Sequence, residues 1–256
     1  MGTGEIEGQL WGAKARVWAE RCERVCMPLW MAMLEAAGVG DGTRFLDLGC
    51  GSAGSSVLAA QRGATVSGFD ASANLLEIAK ERVPQGDFRQ GDLEELPYGN
   101  AEFDVIFAAN SLQFVGDQQR ALSQVRRVMA PDGRFVIGMW CEPERCEITA
   151  VFKPLMELAP PPPDAPPTLT VRDNLAGLLE SNGFRIQQEE EVECPFEFAS
   201  VEDFVEANTS PGVIVGMIQL LGEAVVRTTM EQAVRPWVRE DGSLRLINWF
   251  RYMVCA

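Results

Sequence analysis

Three glycines, Gly49, Gly51 and Gly54, stand in the stretch FLDLGCGSAGSS at residues 45–56 and spell the pattern G-x-G-x-x-G. They follow a strand-like apolar run and open a helix-like run. In that context, glycines let the backbone approach a ligand closely and aim the N–H groups of the helix start at it. The pattern alone predicts a nucleotide-binding loop, and it suits NAD as well as other adenosine ligands.

Three acidic residues narrow the choice of nucleotide. Asp70 ends the second predicted strand, 19 residues after Gly51, where its carboxylate can accept hydrogen bonds from both ribose hydroxyls. Asp92 follows the third predicted strand and can accept from the exocyclic amine of adenine, with the Leu93 N–H directed at the ring. Asp47 lies beside the glycines, where it would repel a pyrophosphate but tolerate a positive amino group.

Each of these acids also has a simpler role open to it. Asp47 can accept hydrogen bonds from loop N–H groups, Asp70 can cap the helix that follows it, and Asp92 can serve as a turn residue. Three carboxylates at these spacings nevertheless favour a specific ligand. We predict an adenosine joined to an amino acid rather than a dinucleotide.

The elements around these residues alternate between strand and helix from Phe45 to Met139. Ser72 is a candidate N-cap, and Pro131–Gly133 predict a turn before the fifth strand. Such alternation is typical of a parallel sheet with helices on both faces, so we predict a Rossmann-like α/β fold. The predicted strands are 44–49, 64–70, 86–92, 103–110 and 133–140, and the predicted helices are 54–63, 72–83 and 117–129.

Three other segments lie outside this alternation of strands and helices. Residues 9–37 predict a helical region, residues 141–170 contain a short helix and the proline-rich run 160–167, and residues 195–240 are again mostly helical. The proline run predicts a stiff connector. We expect these segments to fold over the carboxyl edge of the sheet as a lid.

The sheet resumes after the proline run, with a helix at 172–183 and strands at 184–193 and 244–255. We therefore predict a single domain over residues 1–256. Its core lies at 40–140, 171–194 and 243–256, and its lid elements lie at 1–39, 141–170 and 195–242.

Composition excludes several classes of function. The 256 residues include 37 acids and 22 bases, a net charge of −15, without a basic cluster, so we expect no nucleic-acid partner and favour a small-molecule substrate. Histidine is absent and the seven cysteines form no CxxC pair, so we expect no metal site. Because neither a signal-like N-terminus nor an apolar run of about 18 residues occurs, we expect a cytoplasmic protein outside the membrane.

Five motifs resemble those of class I S-adenosylmethionine-dependent methyltransferases: LDLGCGSAG, GFDAS, GDLEELP, FDVIFAANSLQFV and RRVMAPDGRFVIGMW. Their order and spacing resemble the broad group whose acceptors include small molecules and quinone precursors, over about residues 40–140. The resemblance implies a doubly wound sheet of about seven strands whose last strand is antiparallel, with a helical lid. It also implies S-adenosylmethionine as cofactor, S-adenosylhomocysteine as product, and in-line methyl transfer to a small molecule.

The same resemblance implies roles for individual residues around the cofactor. Gly49, Cys50 and Gly51 would line its methionine part, Asp47 would lie near its amino group, and Asp70 would hold the ribose. The backbone carbonyl of Asn110 would accept from the methionyl amine, and Ala71 would lie beside adenine. The predicted cofactor set is completed by Asp92, Leu93, Gly54 and Ser111, and by Trp11, Arg16 and Trp18, which would cover the methionine end.

The acceptor site is less well defined by the sequence. Gln113 and Phe114 stand in a turn where the family often carries histidine, so we assign no residue as a general base. Gln113 would orient the acceptor or act as a satisfied loop amide. Trp140 would line the acceptor pocket or pack in the core. Two other functions remain open at this point: an NAD-dependent oxidoreductase, and a cofactor-binding protein of the same fold without catalysis.

Overall fold

A computed structural model describes residues 2–159 and 168–256 of the chain. The proline-rich run 160–167 lies outside the described residues. The strands are β1 (Arg44–Leu48), β2 (Thr65–Asp70), β3 (Asp87–Gln90), β4 (Phe103–Ala109), β5 (Met129–Trp140), β6 (Ile186–Phe198) and β7 (Leu244–Cys255).

Helices lie between and before these strands. The α-helices are α1 (Gly4–Gly12), α2 (Ala15–Val17), α3 (Met27–Ala36), α4 (Gly54–Gln61), α5 (Ala73–Arg82), α6 (Gln118–Val128), α7 (Glu147–Leu158), α8 (Arg172–Ser181), α9 (Val201–Asn208), α10 (Gly212–Leu221) and α11 (Glu223–Ala233). A π-helical turn (Trp18–Cys22) and a 3₁₀ turn (Glu23–Cys26) join α2 to α3, and further 3₁₀ turns lie at Leu112–Phe114, Pro143–Arg145 and Arg235–Trp237.

The strands form one sheet in the order β3-β2-β1-β4-β5-β7-β6. Strand β1 pairs in parallel with β2 and β4, and β7 runs antiparallel between β5 and β6. This confirms the predicted Rossmann-like α/β sheet with an antiparallel last strand. The strand order reverses between β1 and β4, and the carboxyl edge at such a reversal is where open α/β sheets bind ligands.

Two apolar clusters bury the two faces of the sheet. Helix α3 covers one face with Leu29 and Met33, and α6 covers the other with Leu122. In β4, the neighbouring residues Ile106 and Phe107 enter opposite clusters, and both are fully buried. A central strand buried on both faces requires a nearly continuous apolar sequence, which is what the stretch FDVIFAA provides.

Two strands differ from their predicted limits. Strand β5 begins at Met129, and its pairing with β4 shifts register there, so Pro131–Gly133 lie within an irregular stretch of the strand rather than in a separate turn. Strand β6 runs from Ile186 to Phe198, and its last residues therefore belong to the sheet rather than to a lid element beginning at 195. Because β6 is an edge strand, it tolerates Pro195 in its interior.

The N-terminal helical region begins at Gly4 rather than at residue 9. Helix α1 packs against α5 and α10, and α7 packs against α11. Helices from the segments outside the strand–helix alternation thus contact each other as well as α5. The boundaries of the predicted core and lid remain predictions.

No single helix among the described residues is long and apolar enough to cross a membrane. Helices α10 and α11 pass that test only when taken together, by length and composition, and they bend by 119° at the break between them.

Three glycines spaced one turn apart, Gly4, Gly8 and Gly12, let α1 lie directly on the loops at the carboxyl edge of the sheet. A Cβ atom on Gly8 would come within 3.0 Å of the Ala71 carbonyl oxygen, and one on Gly12 would lie 2.6 Å from the Ser72 hydroxyl. Side chains larger than hydrogen therefore do not fit on this face of α1. We call the contact between these three glycines and the loops the glycine seam.

We expect Gly8→Ala to weaken the docking of α1, although alanine is the better helix former by about 1 kcal/mol. The added methyl group would meet backbone atoms of Ala71, which cannot move aside as a flexible side chain can. Faster amide hydrogen exchange over residues 4–12 and a lower free energy of unfolding in urea would report the loss.

The matched control is Gly177→Ala in α8, where no atom lies within 4 Å of the new Cβ. This variant should gain up to about 1 kcal/mol of stability. An equal gain in both variants would contradict the proposed close approach of α1.

Candidate functional site

A cleft at the carboxyl edge of the sheet encloses about 1010 Å³ of space free of protein atoms, including its open mouth. Helix α1 and the turn after it form one wall, and the ends of β1, β2 and β4 form the other. Most of the predicted site residues line this cleft: Trp11, Trp18, Asp47, Gly49, Cys50, Gly51, Asp70, Ala71, Asp92, Leu93, Asn110, Ser111 and Phe114.

The glycine loop leaves β1 in left-handed backbone conformations. Gly49 and Gly51 have φ values of 71° and 53°, which favour glycine. A Cβ on Gly49 would also collide with the side chain of Ser111. The loop then turns into α4 at Gly54, and the first N–H groups of that helix have no acceptor within it.

The Asp70 carboxylate joins the ends of β1 and β2. One oxygen accepts from the Gly51 N–H at 2.8 Å, and the other accepts from the Ser72 N–H at 2.8 Å. Burial raises the pKa of Asp70, although these backbone donors oppose the shift. The N-cap of α5 is Ser72, whose hydroxyl accepts from the Leu75 N–H at 3.3 Å. Asp70 is therefore not the cap.

Asp47 is almost fully buried beneath the glycine loop. Its Oδ2 accepts hydrogen bonds from the hydroxyls of Ser55 at 2.6 Å and Ser56 at 2.7 Å. Burial is the main cause that raises the pKa of Asp47 to about 6, against the effect of the two hydroxyls. Its partners among the described residues are thus side chains of α4 rather than loop N–H groups.

Asp92 connects the loop after β3 to the N-terminal helix. Its Oδ2 accepts from the Gly4 N–H at 3.0 Å, and its Oδ1 accepts from the Glu94 N–H at 3.0 Å. A carboxylate at the start of α1 also complements the positive end of the helix dipole. Asp92 therefore holds the lid helix in place at the same point where it was predicted to meet adenine.

Asn110, directly after β4, combines a left-handed backbone with an unsatisfied side-chain oxygen. Its φ is 57°, and its side-chain Oδ1 is buried without a hydrogen-bond partner among the described residues. Its backbone carbonyl, predicted to accept from the methionyl amine, already accepts from Gln113 Nε2 at 3.2 Å. The neighbouring Ser111 hydroxyl donates to the Leu48 carbonyl at 2.7 Å, which fixes the turn against β1.

Two predicted cofactor residues lie elsewhere. Arg16 is exposed and pairs with Glu81 on α5 at 2.6 Å, so the prediction that it covers the methionine end needs correction. Gly54 does not line the cleft; its missing side chain makes room for the ring of Trp30, which would lie within 3.0 Å of a Cβ there.

Two predicted acceptor residues also lie outside the cleft. Gln113 is the satisfied loop amide that bonds to Asn110, which was the simpler of its two predicted roles. Trp140 packs against Phe250 with ring centroids 4.2 Å apart and edge-on against Phe196 at 5.7 Å. It therefore belongs to the apolar packing of β5 and β7.

Part of the cleft wall consists of residues that no sequence motif marked. Glu23 is buried, accepts from the Ser52 hydroxyl and pairs with Arg82, and burial raises its pKa. The glycine spacing of residues 4–12 was the one sequence signal that could have placed α1 here. The lining residues not predicted are Thr3, Gly4, Glu7, Glu23, Cys26, Trp30, Ser55, Leu75, Gly91, Ala109 and Val115.

One cluster outside the cleft has the donor set of a metal site. Ligand atoms of Cys141, Glu142 and Glu191 lie within 4.8 Å of one another. The Arg251 guanidinium pairs with Glu142 at 3.2 Å and with Glu191 at 2.7 Å. This guanidinium already neutralises the two carboxylates, so the cluster is better explained as an ion-pair network.

We expect Asp47→Asn to change how stability depends on pH. Because burial raises the pKa of Asp47 to about 6, above the value of about 3.9 in an unfolded chain, folded protein binds the extra proton between these pH values. The ionised carboxylate therefore weakens the wild type at neutral pH, and that cost fades as the pH falls. Between pH 7.5 and 4.5 the wild type should gain about 2 kcal/mol relative to the variant.

Urea unfolding at several pH values measures this difference. Asparagine keeps an oxygen for Ser55 and Ser56, so the variant should fold. Asp173→Asn removes an exposed carboxylate and controls for the change in net charge. A difference between wild type and Asp47→Asn that stays constant with pH would contradict the assignment.

The region that builds this geometry is similar to known proteins. A family model described as a methyltransferase domain matches residues 46–137, which run from β1 into β5. The match therefore contains the glycine loop, Asp70, Asp92 and Asn110.

Two curated relatives align over the same region. An uncharacterized methyltransferase of Synechocystis sp. is 41% identical over 106 residues, which cover 41% of this chain and 50% of that protein. The demethylmenaquinone methyltransferase of Renibacterium salmoninarum is 32% identical over 111 residues, covering 43% of this chain and 47% of that protein. The chain thus spans about half the length of these relatives.

Solved structures are similar to this chain in fold, although their sequence identity to it is low. A SAM-dependent methyltransferase from Aquifex aeolicus superposes with a TM-score of 0.57 at 19% identity, over 71% of this chain and 92% of that one. Residues 46–137, with their glycine loop and acidic partners, therefore match a methyltransferase domain, and the fold of the chain is similar to that of a SAM-dependent methyltransferase.

Proposed function

We propose that this chain transfers a methyl group from S-adenosylmethionine to a small-molecule acceptor by in-line displacement. The observation that carries the proposal is the carboxylate of Asp70, which is fixed by the Gly51 N–H beside the glycine loop and lines a cleft large enough for a nucleoside. The name of the demethylmenaquinone methyltransferase relative supports a small molecule as acceptor.

The residues of the cleft suit an adenosine joined to a methionine. Asp70 would receive the ribose hydroxyls, and the loop around Asp92 and Leu93 would receive adenine. A positively charged amino group would lie favourably near Asp47 and the end of β4. The described lining includes no lysine or arginine, so the N–H groups at the start of α4 would hold the methionyl carboxylate.

S-adenosylmethionine, when bound, supplies the activated methyl group. The chain itself would align the two reactants and exclude water, since alignment accounts for most of the rate gain in a displacement of this type. Trp11, Trp18 and Phe114 form an aromatic wall that can exclude water from the reacting end. We assign no residue of the chain as a general base.

The two other functions differ from the proposed one in the ligand that the cleft would bind or in the absence of turnover. NAD would bring a pyrophosphate beside Asp47, where like charges disfavour it. A protein without catalysis would bind the cofactor product equally well but show no turnover. Binding of S-adenosylhomocysteine with turnover of a small acceptor is the outcome expected of our proposal.

Titration with S-adenosylhomocysteine is therefore the first experiment. Binding should raise the melting temperature, and the rise should grow with the logarithm of ligand concentration once that concentration exceeds the dissociation constant. NAD at the same concentrations should leave it unchanged. Calorimetry that finds no binding of either S-adenosylmethionine or S-adenosylhomocysteine would overturn the proposed function.

We expect Asp70→Ala to weaken S-adenosylhomocysteine binding by about 1–3 kcal/mol, or about 5- to 150-fold. The variant loses the ribose acceptor and also frees the Gly51 N–H from its partner. The exposed Asp173→Ala variant is the control and should bind as the wild type does. Unchanged affinity in Asp70→Ala would mean that Asp70 only braces the loop.

A further inference from the structure

Residues 18–26 join α2 to α3 and contact the glycine loop. They begin with the π-helical turn, a rare form of helix that occurs frequently at functional sites, and they continue as a 3₁₀ turn. We call residues 18–26 the π segment. Three of its side chains line the cleft, and they belong to Trp18, Glu23 and Cys26.

Two of these side chains contact the glycine loop directly. The indole nitrogen of Trp18 lies 3.8 Å from the position that a Cβ on Gly51 would take. The Glu23 carboxylate accepts from the hydroxyl of Ser52, which is fully buried. Both contacts require the π segment to lie close to the loop, so the distance between these two segments determines the shape of this part of the cleft.

The order of the strands indicates which part of a ligand the π segment would meet. The sheet runs β3-β2-β1-β4, with Asp70 at the end of β2 and Asp92 in the loop after β3. An adenosine held by these two carboxylates leaves its amino-acid part over the ends of β1 and β4. At the end of β4, Cys26 Sγ of the π segment lies 4.0 Å from Asn110 Nδ2. The π segment therefore lies on the methionine side of the cleft.

Arg82, in the last turn of α5, bonds to both the π segment and the glycine loop. Its Nη2 donates to the Ala19 carbonyl at 2.8 Å, and its Nη1 donates to the Ser52 carbonyl at 3.1 Å. Nη1 also donates to the Glu23 carboxylate, which is the acceptor of the Ser52 hydroxyl. One guanidinium thus joins three elements: α5, the π segment and the glycine loop.

The acceptors of Arg82 show that it does more than neutralise a charge. Glu23 is 6% exposed, and a carboxylate so buried requires a cation close by. Two of the other acceptors are backbone carbonyls, however, and these bonds do not depend on the charge of Glu23. A guanidinium is planar and presents its N–H donors in a fixed arrangement, which suits it to hold two backbone segments at one spacing.

We propose that Arg82 is a positioning residue for the methionine end of the cofactor, because it holds the π segment at a fixed distance from the glycine loop. The inference rests on the proposed function and deepens it. Arg82 is not one of the described residues that line the cleft, so it acts through its partners. The cleft should therefore favour ligands with an amino-acid part over nucleosides without one, and this preference should depend on Arg82.

Two ligands of the same cofactor site separate its two ends. S-adenosylhomocysteine carries the amino-acid part, whereas 5′-methylthioadenosine keeps the nucleoside and the sulfur but ends in a methyl group. The variants compared are Glu23→Gln and Glu23→Gln/Arg82→Met. Glutamine keeps an oxygen for the Ser52 hydroxyl and carries no charge, so the double variant has no buried carboxylate left without a cation at this position.

We expect the double variant to bind S-adenosylhomocysteine about tenfold less tightly than Glu23→Gln does, because the bonds to the Ala19 and Ser52 carbonyls are lost in it alone. Binding of 5′-methylthioadenosine should change by less than about twofold. Arg44→Met in the Glu23→Gln background is the matched control. It removes an arginine from an exposed ion pair with Asp104 at the amino end of β1, and it should leave both affinities unchanged.

Amide hydrogen exchange provides a readout that needs no ligand. Exchange over residues 18–26 should be faster in the double variant than in Glu23→Gln, and exchange over residues 4–12, which dock through the glycine seam, should be unchanged. Acceleration over the whole chain would overturn the inference, because Arg82 would then contribute only general stability.

The binding data can overturn the inference in two ways. Equal affinities of Glu23→Gln and the double variant for S-adenosylhomocysteine would mean that Arg82 only neutralises Glu23. Equal losses for the two ligands would mean that Arg82 supports the whole cleft rather than its methionine end. If the wild type binds neither ligand, the proposed function itself fails, which is a different outcome.

Discussion

The carboxylate of Asp70 is the constraint on which the rest of the site depends. It bonds at once to the N–H of Gly51 and to the N–H of Ser72, and so it ties the loop after β1 to the start of α5. The Phe69 carbonyl accepts from the Gly49 N–H at 2.7 Å, which adds a second tie between the same two strands. With both ends held, the loop keeps its left-handed backbone, and Ser72 presents its hydroxyl to Gly12 of α1.

The buried carboxylates of the cleft also lower the free energy of unfolding near neutral pH. Burial raises the pKa of Asp47, Asp70, Glu7 and Glu23, so each carboxylate weakens the folded state near neutral pH. Serine hydroxyls, backbone N–H groups and Arg82 reduce this cost for three of them, and Glu7 has only Trp11. A ligand that brings positive charge to the cleft would relieve part of it. Ligand affinity and the instability of the empty cleft therefore have a common electrostatic origin.

The sequence predicted the core better than the lid because local patterns define the core. Strands β1 to β4 and helices α4 to α6 follow from hydrophobic periodicity and from the Ser72 cap, and all lie close to their predicted limits. The sequence pattern placed the start of α1 too late because glycines disfavour an isolated helix. The presence of glycines in α1 is explained by its close approach to Ala71 and Ser72. The side chain of Arg16 forms an ion pair with Glu81, a partner 65 residues away that no local pattern reveals. Likewise, no local pattern marked Glu7 and Glu23 as residues of the cleft.

The end of β4 shows how strain and an unmade hydrogen bond coincide in this protein. Asn110 holds a left-handed φ of 57°, which costs a non-glycine residue free energy, and its Oδ1 lies buried without a partner among the described residues. Its N–H donates to the Gly138 carbonyl at 2.8 Å, and its carbonyl accepts from Gln113, so the backbone cannot relax. Neighbouring contacts thus fix the amide beside Cys26, in the wall of the cleft. A site without histidine must rely on positioning, and a rigid amide in the cleft wall is a means of achieving it.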